Sequence, residues 1–248
     1  MKITEILALI LLLNPYVVFA CDRPRFVDSV VAPLKASGVV VNEKHRQQPG
    51  QDTTCVYAAT WRENHLDHEK LWSYIATYSK TEMKKIADLR YEIPNVTMYW
   101  DPTIQIDPTN FKIHPDKEAF GIRVSWGFMS GTFGVNDEQL DLIFPADGAT
   151  LRSVLSLPIN SEHYPRGCPG LDQCKGGERR PATCELCEEE TARMQGIVII
   201  GESTLMGYHD IIINLTNTTI SSEISKHPEK KSQSTSRYRW DGEKYVTQ

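Results

Sequence analysis

Through the second half of the chain, apolar and polar residues alternate. Phe120, Ile122, Val124 and Trp126 alternate with Gly121, Arg123 and Ser125, the period-two pattern of a half-buried strand. Leu140, Leu142 and Phe144 repeat it, Pro145-Ala146-Asp147-Gly148 supplies a turn, and Leu151, Val154 and Leu155 resume. Upstream, Asn95–Trp100 is rich in strand formers. Asp101-Pro102 breaks that run, and Ile104 and Ile106 alternate up to Asp107-Pro108. Gly127, Gly131 and Gly134 punctuate a loop or hairpin that carries Phe128, Met129 and Phe133. Ile197–Ile200 and His209–Leu215 read as buried strands. Arg237–Val246 is the strongest hairpin signal, because Asp241-Gly242 supplies the positive φ angles of a tight primed turn.

The first half reads differently. Leu71, Ile75 and Tyr78 fall at i, i+4 and i+7, which predicts a helix within His65–Arg90. A second short helix is expected over Thr81–Leu89, with Thr81 as N-cap and Met83, Ile86 and Ala87 facing inward. Residues 21–54 are poorly patterned: Val39–Val41 suits a short strand and Arg46–Gly50 a loop. Glu223–Thr235 reads as a polar loop. The fold class expected is mainly β, an antiparallel sandwich or meander with a small helical element, stabilised by disulfides. Residues 55–248 would form one β-rich domain with an irregular insert at 167–190.

Residues 1–20 have the grammar of a secretory signal peptide: Lys2, the apolar run Ile6–Leu13, and Val18-Phe19-Ala20 before Cys21. Export to an oxidising compartment makes Cys21, Cys55, Cys168, Cys174, Cys184 and Cys187 disulfide candidates, with the connectivity open. Val18-Phe19-Ala20-Cys21 also reads as a lipobox, in which Cys21 would be lipidated instead. The formal net charge of -5 gives no general attraction to nucleic acid or anionic membrane. Membrane association would then require a lipidated Cys21.

Several blocks resemble uncharacterised secreted proteins of Gram-negative bacteria. They are Ile106–Ile113, Ala119-Phe120-Gly121-Ile122-Arg123-Val124, Leu140-Asp141-Leu142 with Leu151–Leu155, Gly207–Ile212 and Tyr238–Tyr245. The resemblance covers strands and turns, so it implies a β-rich periplasmic fold and no particular activity.

Candidate chemistry is sparse. Cys184-x2-Cys187 has the local spacing of a zinc knuckle, but Cys168-x5-Cys174 is too wide, and Glu188–Glu190 disfavour a reactive thiolate. His65 and His68 lack the longer metalloprotease motif. Ser203, in Gly201-Glu202-Ser203-Thr204-Leu205, lacks the second glycine of a nucleophile elbow. No phosphate-binding loop is present, and no cofactor or metal is expected. Asn95, Asn214 and Asn217 sit in glycosylation sequons that a bacterial source would leave incidental. Phe128, Met129 and Phe133 are candidate partner-binding residues, because apolar side chains at an exposed loop tip need cover.

Together these features predict a periplasmic or secreted binding protein and not an enzyme. The expected role is an inhibitor or immunity protein that occludes a toxin or cell-wall lytic enzyme, with the Cys168–Cys187 loop inserted into the target's cleft. The alternatives are an envelope lipoprotein or structural component anchored through Cys21, and a secreted hydrolase with dispersed residues drawn from His65, His68, His163 and His209.

Overall fold

Two antiparallel sheets carry the chain in the computed structural model, which describes residues 21–48, 51, 53–64, 69–94, 100–129, 133–146, 148–165, 191–220 and 229–248. The smaller has the order β1 (Val41–Gln47), β2 (Thr54–Asn64), β3 (Glu69–Ser79) and β4 (Lys85–Ile93). The larger is an eight-stranded meander. It runs through β5 (Thr103–His114), β6 (Lys117–Met129), β7 (Phe133–Pro145), β8 (Leu151–Pro165), β9 (Thr191–Leu205), β10 (Tyr208–Ile220), β11 (Lys230–Trp240) and β12 (Tyr245–Thr247). The mainly β, antiparallel, sandwich-like fold expected from the alternation is what forms.

The large sheet is folded over on itself. β8 pairs with β9 only from Asn160 to His163. Beyond that seam, β5–β8 and β9–β12 enclose one core, with Phe111, Leu140, Leu157 and Ile159 against Tyr208, Ile211, Ile213 and Trp240. On the other face of β5–β8, Ile104, Phe120, Ile122, Val124 and Ile143 meet Val56, Ala58, Leu71 and Ile75 of the small sheet. Each fully buried side chain of this size stabilises the fold by roughly 1.5–3 kcal/mol.

Helix α1 (Asp28–Ala36) covers the outer face of the small sheet. Val27, just before the helix, and Val31 and Leu34 within it face inward and pack with Tyr57, Trp61 and Tyr78. Gly38, at φ +82°, ends it. The Gly38 N–H bonds to Lys35 O and the Val39 N–H to Leu34 O, which satisfies the last carbonyls in a Schellman motif. Residues just before the helix are clasped to the sheet. Cys21 is disulfide-bonded to Cys55 with Cα atoms 5.9 Å apart. The His45 Nδ1–H donates to Cys21 O at 2.7 Å, and the Tyr78 hydroxyl donates to Asp22 O at 2.7 Å.

Several expectations are corrected. No helix forms over His65–Arg90: residues 65–68 lie outside the described residues, and the rest is β3, a turn and β4. Leu71 and Ile75 share a strand face as readily as a helix face, because their separation is even. Tyr78 lies on the opposite face, toward α1. The Thr81–Leu89 helix is likewise absent; Met83 adopts φ +56° in the turn, and Ile86 is 44% exposed on β4. The small helical element lies instead in the segment read as poorly patterned, and β1 continues to Gln47, through the start of the expected Arg46–Gly50 loop.

β5 passes through Asp107-Pro108 by a bulge between Ile106 and Asn110. On β9, Ile197 and Ile199 are 65% and 43% exposed, so this strand is not buried on both faces. The expected Glu223–Thr235 loop becomes strand from Lys230; its polarity reflects an exposed edge. At Asp241-Gly242 the pair Trp240–Tyr245 closes a four-residue connection and not a two-residue one. Asp241 Oδ1 accepts from the Glu243 and Lys244 N–H groups. Two-residue connections occur instead at Pro115-Asp116, between the paired His114 and Lys117, and at Met206-Gly207, where φ is +55° and +82°, the signs of a type I′ turn.

Glu43 locks α1 to the small sheet. Its carboxylate accepts from Arg23 Nε at 2.7 Å, Lys35 Nζ at 2.5 Å and the Tyr57 hydroxyl at 2.7 Å. Burial alone would raise its pKa, but these three donors override burial and bring it from 4.5 to about 2. A depressed carboxylate pKa contributes stability above the unfolded value that is lost as pH falls. Wild-type stability should therefore drop between about pH 4.5 and 2. Glu43→Gln should cost about 1–3 kcal/mol at pH 7 in urea denaturation and flatten that acid limb. An unchanged acid limb in the variant would contradict this role.

Candidate functional site

Directly paired residues of an antiparallel sheet share a face, so register alone assembles a shelf of mixed polar and apolar residues across β6–β10. Trp126 is opposite Asp137, Asp137 opposite Ser161, Ser161 opposite Met194, and Met194 opposite Asn217. The next row on that face is Phe128, Val135, His163, Ala192 and Thr219. A bulge in β8, where Glu138 pairs Asn160 but Gln139 pairs Pro158, puts Pro158 and Ser161 on the same side. The shelf forms a cleft of about 550 Å³ walled by Trp126, Asp137, Pro158, Ser161, His163 and Met194.

The cleft lies at one end of the large sheet. The β6–β7, β8–β9 and β10–β11 connections, residues 130–132, 166–190 and 221–229, all leave from this end. Phe133 pairs with Pro165, and Thr191 with Ile220, so the connections spring from neighbouring strand ends.

The opposite face of the same strands is braced by ions. Arg123 donates through Nε to Asp107 Oδ2 at 2.6 Å and through Nη1 to Glu138 Oε1 at 2.8 Å. Ser125 Oγ donates to Glu138 Oε2 at 3.1 Å, and the Thr109 N–H donates to Asp107 Oδ1 at 2.8 Å. Asp107 is only 2% exposed. Burial alone would raise its pKa, but the Thr109 and Arg123 donors hold it below the usual carboxylate value. This brace fixes the β5 bulge and the backbone on either side of Glu138, next to Asp137.

A polar line also runs down β7 from the cleft into the core. Gln139 lines the cleft and donates through Nε2 to Asp141 Oδ1 at 3.0 Å. Asp141 is fully buried between the sheets and accepts from the Tyr91 hydroxyl at 2.6 Å and the Ser156 hydroxyl at 2.5 Å. Burial raises its pKa, against the pull of those donors, and raises the Tyr91 phenol as well.

The expected site residues fall in separate places. Cys21 pairs with Cys55, so the sulfur that lipidation needs is the one in the bridge. Cys168, Cys174, Cys184 and Cys187 lie outside the described residues, as do His65, His68 and Asn95. Phe128 is half-buried on the shelf; next to it in the chain Met129 ends β6, and Phe133 begins β7. His163 reaches the cleft, with Nε2 4.0 Å from Asp137 Oδ1. His209 Nδ1 lies 3.0 Å from Gly201 O toward the other end of β9, on the order of 40 Å away along the strand. The structure thus does not bring these two histidines together. Asn214 accepts from Thr235 Oγ1 at 2.8 Å, and Asn217 lines the cleft.

Trp126, Asp137, Ser161 and Met194 carried no sequence signal as a set, because only register unites them. No cluster of three or more His, Cys, Asp or Glu with metal-binding geometry occurs among the described residues. No helix among them is long and apolar enough to cross a membrane. No family model matches the chain, and no curated protein or solved structure shows significant similarity to it.

Gly121 tests the brace. A Cβ there would sit 2.8 Å from Asp107 Cβ and 2.8 Å from Leu140 Cδ1, closer than real Cβ contacts allow. Gly121→Ala should destabilise by about 1–3 kcal/mol through overpacking, measured as a lower urea midpoint at unchanged m-value. Wild-type stability in the variant would contradict the close packing of β5 on β6.

Proposed function

We propose that this protein is a periplasmic binding protein of the inhibitor or immunity type, which docks on a toxin or cell-wall lytic enzyme through the loop-bearing end of its large sheet. The observation that carries the reading is that the strand ends from which three connections depart stand beside one cleft on a braced sheet. A braced scaffold of this kind positions loops for recognition, and pre-ordered contacts spend less entropy on docking. The signal-peptide grammar, the resemblance to secreted Gram-negative proteins and the Cys21–Cys55 bridge support the compartment. Phe128, at the rim, is the apolar anchor of the contact. The cysteine-rich connection at 166–190, rooted at Pro165 and Thr191, is the segment that covers the target's active cleft.

The test is capture from periplasmic extract on tagged protein, followed by an assay of the captured protein's lytic or toxic activity. A stoichiometric partner whose activity falls when this protein is added is expected. Phe128→Ala should weaken the complex about tenfold, the loss expected when an aromatic anchor buried in the contact is truncated. Recovery of no stoichiometric partner, or of one whose activity is unaffected, would overturn the reading.

A further inference from the structure

We propose that the shelf cleft is a receptor for a single cationic side chain, an arginine or lysine presented by the partner, with Asp137 as counter-ion and Trp126 as ring wall. This rests on the reading of the loop-bearing end as a protein-docking surface and names what enters it.

Charge complementarity carries the argument. The other acids around the cleft already have cationic partners: Glu138 is held by Arg123 at 2.8 Å and Glu162 by Arg193 at 2.6 Å. Among the described residues, Asp137 has no lysine or arginine partner. Its Oδ1 accepts from Ser161 Oγ at 2.6 Å, and the nearest basic atom, His163 Nε2, is 4.0 Å away. The Asp137 side chain is 33% exposed and lines about 550 Å³ of space. The Ser161 bond fixes the carboxylate's orientation through Oδ1 and leaves Oδ2 to accept from a ligand. An incoming guanidinium or ammonium would thus meet a pre-oriented carboxylate. Trp126, directly opposite Asp137 in register, supplies an aromatic wall of the kind that attracts cations, and Met194 a polarisable floor. A purely apolar side chain would leave the Asp137 carboxylate desolvated without a counter-ion, which costs free energy.

The probe is a capped tripeptide, acetyl-Gly-Arg-Gly-amide, titrated into the full oxidised chain at pH 8, where histidine is ordinarily neutral. The readout is amide and indole chemical shift by NMR. Saturable shifts at Trp126, Asp137, Ser161 and Met194 are expected in the millimolar range, weakening with added salt, and a norleucine tripeptide should produce none. Asp137→Asn should weaken arginine binding at least tenfold while leaving the remaining spectrum in place. Ser161→Ala, which frees the carboxylate without removing it, should weaken it less. No shift with the arginine peptide, equal affinity in Asp137→Asn, or a response to a neutral oligosaccharide instead would overturn the proposal. Because the titration needs no partner, its failure alongside successful partner capture overturns this inference alone. Success without capture sinks only the inhibitor reading.

Discussion

Strands β6 and β7 are covered on both faces through their middles, residues 119–122 and 140–144, and that constraint shapes the rest of the molecule. One face meets the small sheet and the other meets β9–β12. A strand in that position has no solvent side on which to place polar groups. Each polar residue it carries must be satisfied internally, or the desolvation of the unmatched group destabilises the fold. Asp141 meets three hydrogen-bond donors, and Asp107 meets Arg123 and the Thr109 backbone. Removing one partner of such a set leaves a buried charge behind and costs far more than the pair contributes.

The same constraint places the candidate site. Where the small sheet no longer covers β6–β8, the face that carries Phe120, Ile122 and Val124 continues as Trp126, Asp137 and Ser161, and becomes a cleft. Gln139 sits at the boundary, lining the cleft and donating to Asp141 below it. The shelf is therefore an extension of the core face, held by the core's rigidity and backed by the Arg123 brace. At the far side of the small sheet, the disulfide and Glu43 act in a corresponding way. They tie the first described residues and α1 to strands that would otherwise expose Tyr57, Trp61 and Tyr78.

Some of this was legible in the residues and some was not. The strands β6, β7 and β8 were, because polar and apolar positions alternate along them. The helix was misplaced for a physical reason. Val27, Val31 and Leu34 have the same spacing as Leu71, Ile75 and Tyr78, yet only the first set is helical. β3 lies between α1 and the large sheet, so both of its faces are buried and its alternation disappears. Its wealth of aromatic and β-branched residues, Trp72, Tyr74, Ile75, Thr77 and Tyr78, was the better guide. The Schellman ending at Gly38 was the matching sign for α1. The shelf was hidden more deeply. Its residues come from five strands, and the bulge at Pro158–Asn160 reverses which side Ser161 faces, a change that counting along the chain does not reveal.

Native-state amide hydrogen exchange tests the two-sided burial of β6 and β7 most directly. Amides of Ile122, Val124, Leu140 and Leu142 should exchange only through global unfolding, more slowly than any in α1, β1 or the Lys230–Ser236 stretch of β11. Protection concentrated in the small sheet or in β9–β11, with β6 and β7 exchanging by local opening, would contradict a core built around those middle strands.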